Sequence, residues 1–127
     1  MAAVGRASLY LGRMTYAAVA RVNADLVHAR VSVADLRREL AAIAESTVLV
    51  PDDEHDAEGS TIGFERARVA ALLAQSQRRV ADLEAAVERV RAGTYQSCER
   101  CGGDIGILRL EALSATRVCR CCASRCP

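Results

Sequence analysis

Two pairs of cysteines near the end of the chain constrain its fold more than any other feature of the sequence. The pairs share the spacing Cys-x-x-Cys, and they consist of Cys98 with Cys101 and Cys119 with Cys122. Two such pairs at this distance supply four thiolates for one tetrahedral zinc ion, the arrangement of a closed structural site. The sequence therefore predicts a small zinc-bound module over residues 93–127.

Two further cysteines, Cys121 and Cys126, leave other ligand sets open. In one alternative set Cys119 binds with Cys121, and in the other Cys122 binds with Cys126. We favour Cys119 with Cys122 because their spacing repeats that of the first pair. The two extra cysteines are interpreted as spare thiols on a short tail, and a redox-sensing role is a second hypothesis for them.

Charge and hydropathy narrow the classes of function. All 17 basic residues are arginines, and 16 acids balance them to a net charge of +1, which argues against a strongly basic nucleic-acid tail. No stretch approaches the roughly 18–20 apolar residues that would cross a bilayer, and no signal-peptide core precedes Arg13. We therefore expect a cytoplasmic protein, in which paired cysteines bind metal.

The excess of Ala, Arg and Val without Lys is typical of a G+C-rich bacterial genome.

Two long heptad patterns predict a pair of helices ahead of the cysteines. The first pattern places apolar residues three and four apart, at Val19, Val22, Leu26, Ala29, Val33, Leu36, Leu40 and Ile43. The second pattern consists of Val69, Leu73, Ser76, Val80, Leu83, Val87 and Val90. Such spacing is typical of the seam between two coiled-coil helices, and charged residues occupy the opposite faces.

The segment between the two patterns predicts a turn. Pro51 cannot continue a helix, and Gly59 weakens one. Ser60 or Thr61 can cap the helix that follows. Gly93 lies where the second helix needs a left-handed residue to end. The sequence therefore predicts a mainly α fold, a long antiparallel coiled-coil helical hairpin followed by a small four-cysteine zinc-finger module.

The predicted organisation has three parts, an N-terminal segment 1–13, a coiled-coil hairpin 14–92 and a zinc finger 93–127. The hairpin has arms of about 14–47 and 60–92 around a loop of residues 48–59. Each arm is about 48 Å long at 1.5 Å per residue. A single breaker loop favours pairing within one chain over pairing between chains, so we expect a monomer.

The loop is strongly acidic. Its acids are Asp52, Asp53, Glu54, Asp56 and Glu58. A concentrated negative charge at the end of a rigid arm suits a positively lined channel or the neighbourhood of a catalytic Mg²⁺. The other interpretation is a solvated turn, since loops are commonly acidic. His55, in the middle of the loop, is interpreted as exposed and incidental.

A further pattern runs from the first cysteine pair to the second. It reads C-x-x-C-G, I-G, R-L-E-A and C-x-x-C, and its residues are Cys98, Cys101, Gly102, Ile105, Gly106, Arg109, Leu110, Glu111, Ala112, Cys119 and Cys122. This pattern resembles the C4 zinc finger of the DksA/TraR family of bacterial transcription regulators. Gly93-Thr94-Tyr95 is similar to the glycine-tyrosine lead-in of that family. With the preceding helical hairpin, the resemblance covers about residues 14–123.

The resemblance implies a function. DksA/TraR-like regulators bind RNA polymerase, insert the coiled-coil tip into its secondary channel and alter initiation without reading promoter sequence. It implies that this chain is not an enzyme, holds one structural Zn²⁺ and has RNA polymerase as its partner, without sequence-specific DNA binding. The family tip carries Asp-x-x-Asp-x-Ala, which Asp53 and Asp56 match with Glu58 in place of alanine. We therefore assign the tip role to Asp53 and Asp56, with Asp52 and Glu58 beside them.

Three other functions stay open, and one of them is a coiled-coil interaction protein with no polymerase role. The finger carries five arginines, Arg100, Arg109, Arg117, Arg120 and Arg125. A zinc-ribbon adaptor would use such residues to contact nucleic-acid phosphates or another protein. We favour a role in offsetting the negative charge of the zinc–thiolate centre and in contacting acidic protein surface. Transcript-cleavage factors also carry acidic hairpin tips, whose carboxylates hold a second Mg²⁺, but they lack a C4 finger of this kind.

Overall fold

The computed structural model describes the backbone of residues 2–49 and 57–125, and the side chains of residues 16–46 and 61–125. Its helices are α1 (Ala2–Leu49), α2 (Ala57–Ala92), α3 (Ile107–Ala112) and α4 (Arg120–Ala123). The two long helices precede the cysteines, and the two short ones lie among them. This architecture confirms the predicted mainly α fold with a helical hairpin and a C-terminal cysteine cluster.

Both long helices extend beyond the arms expected from the sequence. α1 begins at Ala2 rather than near residue 14, because no proline interrupts the intervening segment. α2 begins at Ala57, so Ser60 and Thr61 lie inside the helix and their predicted capping role is wrong. The physical reason is that Gly59 costs a helix only about 1 kcal/mol, which the rest of this 36-residue helix outweighs.

The end of α2 follows the prediction. Gly93 has a left-handed φ of 75°. Its N–H donates to the carbonyl of Val90 at 3.2 Å, and the N–H of Thr94 donates to the carbonyl of Arg89 at 2.9 Å. These two bonds form a Schellman motif, which satisfies carbonyls that the helix would otherwise leave without partners. The finger therefore begins in a defined direction at the end of α2.

Residues 28–80 form one compact unit, in which α1 and α2 run antiparallel. Glu39 of α1 pairs with Arg68 of α2, with 3.8 Å between Oε1 and Nη2. Nearer the start of this part of α1, Val33 lies across a groove from Val80. Residue numbers therefore rise along α1 as they fall along α2, which is the antiparallel arrangement. Every described position of the two heptad patterns in this unit is buried or half-buried.

The second compact unit comprises the chain up to Val27 and from Ala81 onward. Its core combines three sources, with Ala18, Val22 and Leu26 from α1, Leu83 and Ala86 from α2, and Tyr95, Cys98, Ile105 and Leu110 from the cysteine module. The module therefore shares a hydrophobic core with the two helices of this unit. Burying these side chains contributes the hydrophobic part of its stability.

Most of the acidic loop lies outside the described residues. This applies to Asp52, Asp53 and Asp56, as well as to Glu54 and His55. Glu58 lies in the first turn of α2, but its side chain is not among those described. The role assigned to these acids therefore stays a prediction. Along the described helices, no segment combines the length and apolar character that a membrane span needs.

Candidate metal centre

Four cysteine sulfurs gather at one point of the C-terminal module. They belong to Cys98, Cys101, Cys119 and Cys122, and all lie within 4.8 Å of one another. The Sγ atoms of Cys101 and Cys119 are 3.8 Å apart. A tetrahedral zinc with Zn–S bonds of about 2.3 Å separates its sulfurs by about 3.8 Å. The structure thus brings together the four cysteines that the sequence pattern selects, at spacings that suit this metal.

The first cysteine pair lies in a tight turn. The N–H of Gly102 donates to the carbonyl of Cys98 at 2.9 Å, and Gly102 has a φ of 71°. Glycine reaches this left-handed conformation without steric cost, as the sequence predicts for this position. The N–H of Gly103 donates to Sγ of Cys101 at 3.4 Å. A Cβ at Gly103 would lie only 3.3 Å from that sulfur, so a side chain there would crowd the ligand.

The second pair uses the first turn of α4. Cys119 is the N-cap residue of this helix, and its side chain accepts from the N–H of Cys122 at 3.4 Å. The N–H of Cys119 donates to Sγ of Cys98 at 3.3 Å, which connects the second pair to the first. Each of these N–H groups places partial positive charge beside a sulfur and therefore favours the thiolate.

The hydrogen bonds shift the thiol pKa values in opposite directions. The backbone N–H of Cys101, followed by that of Cys119, lowers the pKa of Cys98 to about 6. The N–H of Cys122 lowers the pKa of Cys119. Hydrogen bonding to Cys119, followed by burial, raises the pKa of Cys122 to about 12. The cluster therefore accommodates some thiolate charge by itself, and a divalent cation is needed to hold all four sulfurs deprotonated.

Comparison with known proteins identifies the module. Residues 93–125 match the family described as the prokaryotic DksA/TraR C4-type zinc finger. The C-terminal module is a DksA/TraR-type zinc finger. A C4 finger of this kind with four gathered cysteines takes one structural Zn²⁺.

The fold around the DksA/TraR-type finger is also similar to a solved structure. Transcription factor DksA2 from Pseudomonas aeruginosa matches with a TM-score of 0.76 and 18% sequence identity. The match covers 89% of this chain and 82% of DksA2. At this identity the likeness concerns the fold. No curated protein sequence matches the chain.

Cys121 differs from the four clustered cysteines. It is disulfide-bonded and lies outside the four-sulfur group of the DksA/TraR-type finger. The interpretation of Cys121 as a spare thiol is therefore wrong, and a ligand set of Cys119 with Cys121 does not fit the structure, because a disulfide sulfur is not a thiolate. Cys126 lies outside the described residues, so the alternative that pairs it with Cys122 stays a prediction.

A buried polar contact joins the DksA/TraR-type finger to α1. The hydroxyl of Tyr95 donates to the carbonyl of Ser114 at 2.7 Å. The hydroxyl of Ser114 donates to Oδ2 of Asp25 at 2.5 Å. Tyr95 and Ser114 are each only 4% exposed, and burial raises the pKa of Tyr95. Sequence reasoning missed Asp25 and Ser114, and only the glycine-tyrosine lead-in pointed to Tyr95.

Two arginines join the finger to α2. Nη2 of Arg89 donates to the carbonyl of Thr116 at 3.3 Å, and burial lowers the pKa of Arg89. Arg117 lies 3.9 Å from carboxylate oxygens of both Asp82 and Glu99. Partly exposed pairs at this distance contribute less than about 1 kcal/mol each. The partly buried contact of Arg89 is the stronger constraint on this side of the finger.

Two more finger arginines make contacts inside the module. Nε of Arg109 donates to the carbonyl of Val118 at 3.0 Å. Nη1 of Arg100 donates to the carbonyl of Cys122 at 3.1 Å. Three of the five arginines singled out in the sequence, with Arg117 as the third, therefore make side-chain contacts within the unit that contains the finger.

Proposed function

We propose that this protein is a DksA/TraR-like transcription regulator that binds RNA polymerase and has no enzymatic activity of its own. In this proposal the acidic loop, with Asp53 and Asp56 at its centre, acts in the secondary channel, while the finger supports the base of the helices. The observation that carries the proposal is the DksA/TraR-type finger at residues 93–125 on a chain with the DksA2 fold.

The proposal assigns one structural Zn²⁺ to four ligands, Cys98, Cys101, Cys119 and Cys122. Their mutual distances within 4.8 Å and the N–H groups directed at their sulfurs support this set. The metal would neutralise the thiolates and hold the two halves of the finger together. Its role is structural because four protein ligands leave no open position for a substrate.

The charge distribution supports an acidic tip as the effector. Residues 48–59 contain five acids and no basic residue, whereas residues 61–80 contain four arginines and one acid. The like charges grouped within the loop add to a strong negative potential there. Such a loop suits a cation-lined channel or the surroundings of a polymerase Mg²⁺. We propose a monomeric, cytoplasmic protein that acts through this contact without reading DNA sequence.

In vitro transcription with the loop variant Asp53→Asn/Asp56→Asn tests the tip assignment. We expect the variant to keep its zinc and its binding to RNA polymerase but to lose most of its effect on initiation. The control is Asp35→Asn/Glu39→Gln, which removes the same charge from the side of α1. Full activity of the loop variant would refute the tip assignment, and equal loss in the control would show that net charge is responsible.

The nucleic-acid adaptor receives less support. Arg100 and Arg109 donate to carbonyls of the finger, and Arg117 lies beside two carboxylates. These contacts compete with phosphate binding. Strongly salt-dependent binding of DNA or RNA by the full chain would favour the adaptor, because phosphate contacts release counterions.

A further inference from the structure

The loop between α3 and the second cysteine pair contacts both long helices. We call residues 113–118 the Ser114 loop. On its α1 side, the buried Ser114 hydroxyl donates to Asp25 at 2.5 Å. On its α2 side, the carbonyl of Thr116 accepts from Arg89 at 3.3 Å. All of these residues belong to one compact unit.

The same loop is held by the metal site. It leads directly into Cys119, whose N–H donates to Sγ of Cys98 at 3.3 Å. The carbonyl of Arg117 accepts from the N–H of Glu99, between the first two cysteines, at 2.9 Å. The carbonyl of Val118 accepts from Arg109 at 3.0 Å. The conformation of the loop therefore depends on the two cysteine pairs staying together.

We propose that the Ser114 loop couples metal binding at the four cysteines to the order of α1 around Asp25. Without metal, four thiols no longer hold the two ends of the finger together, and the loop loses the fixed conformation that presents the Ser114 hydroxyl to Asp25. Such coupling is reciprocal, so the Asp25 contact must strengthen metal binding by the same factor. The inference rests on the zinc site and does not require polymerase binding.

Zinc affinity of the full chain, measured by competition with a chelator, tests the coupling. Asp25→Ala removes the acceptor on α1, far from the cysteines in sequence, and we expect roughly 10-fold weaker zinc binding. Asp25 also pairs with Arg21 on the same helix, with 3.3 Å between Nε and Oδ1. The matched control is therefore Asp35→Ala, because Asp35 also lies on α1 and pairs with a nearby arginine, Arg38. The control should bind zinc within about twofold of wild type.

A double-mutant cycle separates coupling from independent local effects. Ser114→Ala removes the donor, and the hydroxyl control is Ser32→Ala, whose Oγ donates to the carbonyl of His28 on the same helix. We expect Asp25→Ala/Ser114→Ala to bind zinc about as weakly as either single variant, since both changes remove one contact. If the fold-losses in zinc affinity of the two single variants multiplied in the double variant, the two residues would act separately, and the proposal would be overturned.

Hydrogen exchange measures the order of α1 directly, which zinc affinity alone does not. We expect backbone exchange in residues 16–27 of the wild type to rise when a chelator removes zinc. In Asp25→Ala this region should exchange faster even with zinc bound, and zinc removal should add little. The milder Asp25→Asn variant, which keeps an oxygen acceptor, should fall between the two. The proposal would be overturned if exchange in residues 16–27 were the same with and without zinc. It would also be overturned if Asp25→Ala bound zinc as tightly as the wild type.

Discussion

The helical unit of residues 28–80 and the zinc finger become ordered by different means. Among the described side chains of the helical unit, the buried residues are Ala29, Val33 and Val69, small or medium aliphatic side chains along one seam. Within its described residues, the finger has no such seam. It is held by a metal site of four cysteines and by hydrogen bonds from the buried residues Tyr95 and Ser114. The helical unit therefore depends on many small contributions, and the finger depends on a few atoms.

The magnitudes of the two kinds of contribution differ widely. Each buried methylene contributes about 0.8 kcal/mol, so one substitution in the seam removes a small part of the total. Structural zinc contributes about 10–16 kcal/mol of apparent binding free energy at neutral pH. One lost ligand in the finger should therefore have a larger effect than any single change in the helical seam.

The largest effect is expected from Cys98→Ser, a buried member of the four-sulfur group. We expect this variant to lose its zinc and the ordered structure of residues 93–125, because three thiolates bind the ion much more weakly than four. Native mass spectrometry measures the loss of zinc, and the dispersion of NMR chemical shifts measures the loss of ordered structure. Cys121→Ser is the control. It breaks the disulfide of Cys121 but should retain one zinc per chain, since Cys121 lies outside the group. Zinc loss from the control alone would contradict the ligand set.

A seam substitution measures the other side of the comparison. Val69→Ala removes two methylene equivalents from a fully buried position, and we expect about 2 kcal/mol of destabilisation. Val31, which is 52% exposed, provides the control Val31→Ala, with an expected loss below about 0.5 kcal/mol. Urea unfolding measures both. Equal effects would contradict the packing of α1 against α2 in this unit.

The junction between helix and finger should show an intermediate effect. Gly93→Ala forces an L-residue into φ 75°, and we expect a loss of about 1–2 kcal/mol. Gly63→Ala is the control inside α2, where a Cβ meets no atom within 4 Å. That substitution should stabilise the protein by about 0.5–1 kcal/mol. Thermal unfolding measures both changes in stability, which we expect to have opposite signs. If both substitutions changed stability in the same direction, the left-handed end of α2 at Gly93 would be contradicted.

The smallest effect concerns one buried hydroxyl of the finger. Tyr95→Phe keeps the ring but leaves the carbonyl of Ser114 without this donor, and we expect a loss of about 1 kcal/mol. Tyr16→Phe is the matched control, because Tyr16 is 79% exposed and its change should have no measurable effect. Thermal unfolding compares the two variants. An unchanged midpoint for Tyr95→Phe would show that solvent replaces the lost bond.

The local features of this chain could be predicted from its sequence. The seams follow from apolar residues three and four apart, and the C4 finger follows from two identical cysteine spacings. Gly93 was identifiable because left-handed helix ends favour glycine. In each case the structural cause lies within a few residues of its sequence signal.

The remaining features depend on contacts that sequence spacing does not encode. Ser114 meets Asp25 across 89 residues of chain, and neither residue belongs to a motif. The start of α2 was predicted too late, because Gly59 and the possible capping residues Ser60 and Thr61 suggested a start near residue 60, whereas the helix already begins at Ala57. The disulfide of Cys121 was also missed. The Cys-x-x-Cys spacing selects four metal ligands and says nothing about the state of the remaining cysteines, which were interpreted as spare thiols.

Binding of the zinc-loaded chain to purified bacterial RNA polymerase, followed by sedimentation velocity, tests the proposed function most directly. We predict a complex with one chain per polymerase, formed by the wild type and by Asp53→Asn/Asp56→Asn alike, and lost when Cys98→Ser unfolds the finger. A wild-type, zinc-loaded chain that sediments alone beside the polymerase would contradict the proposal.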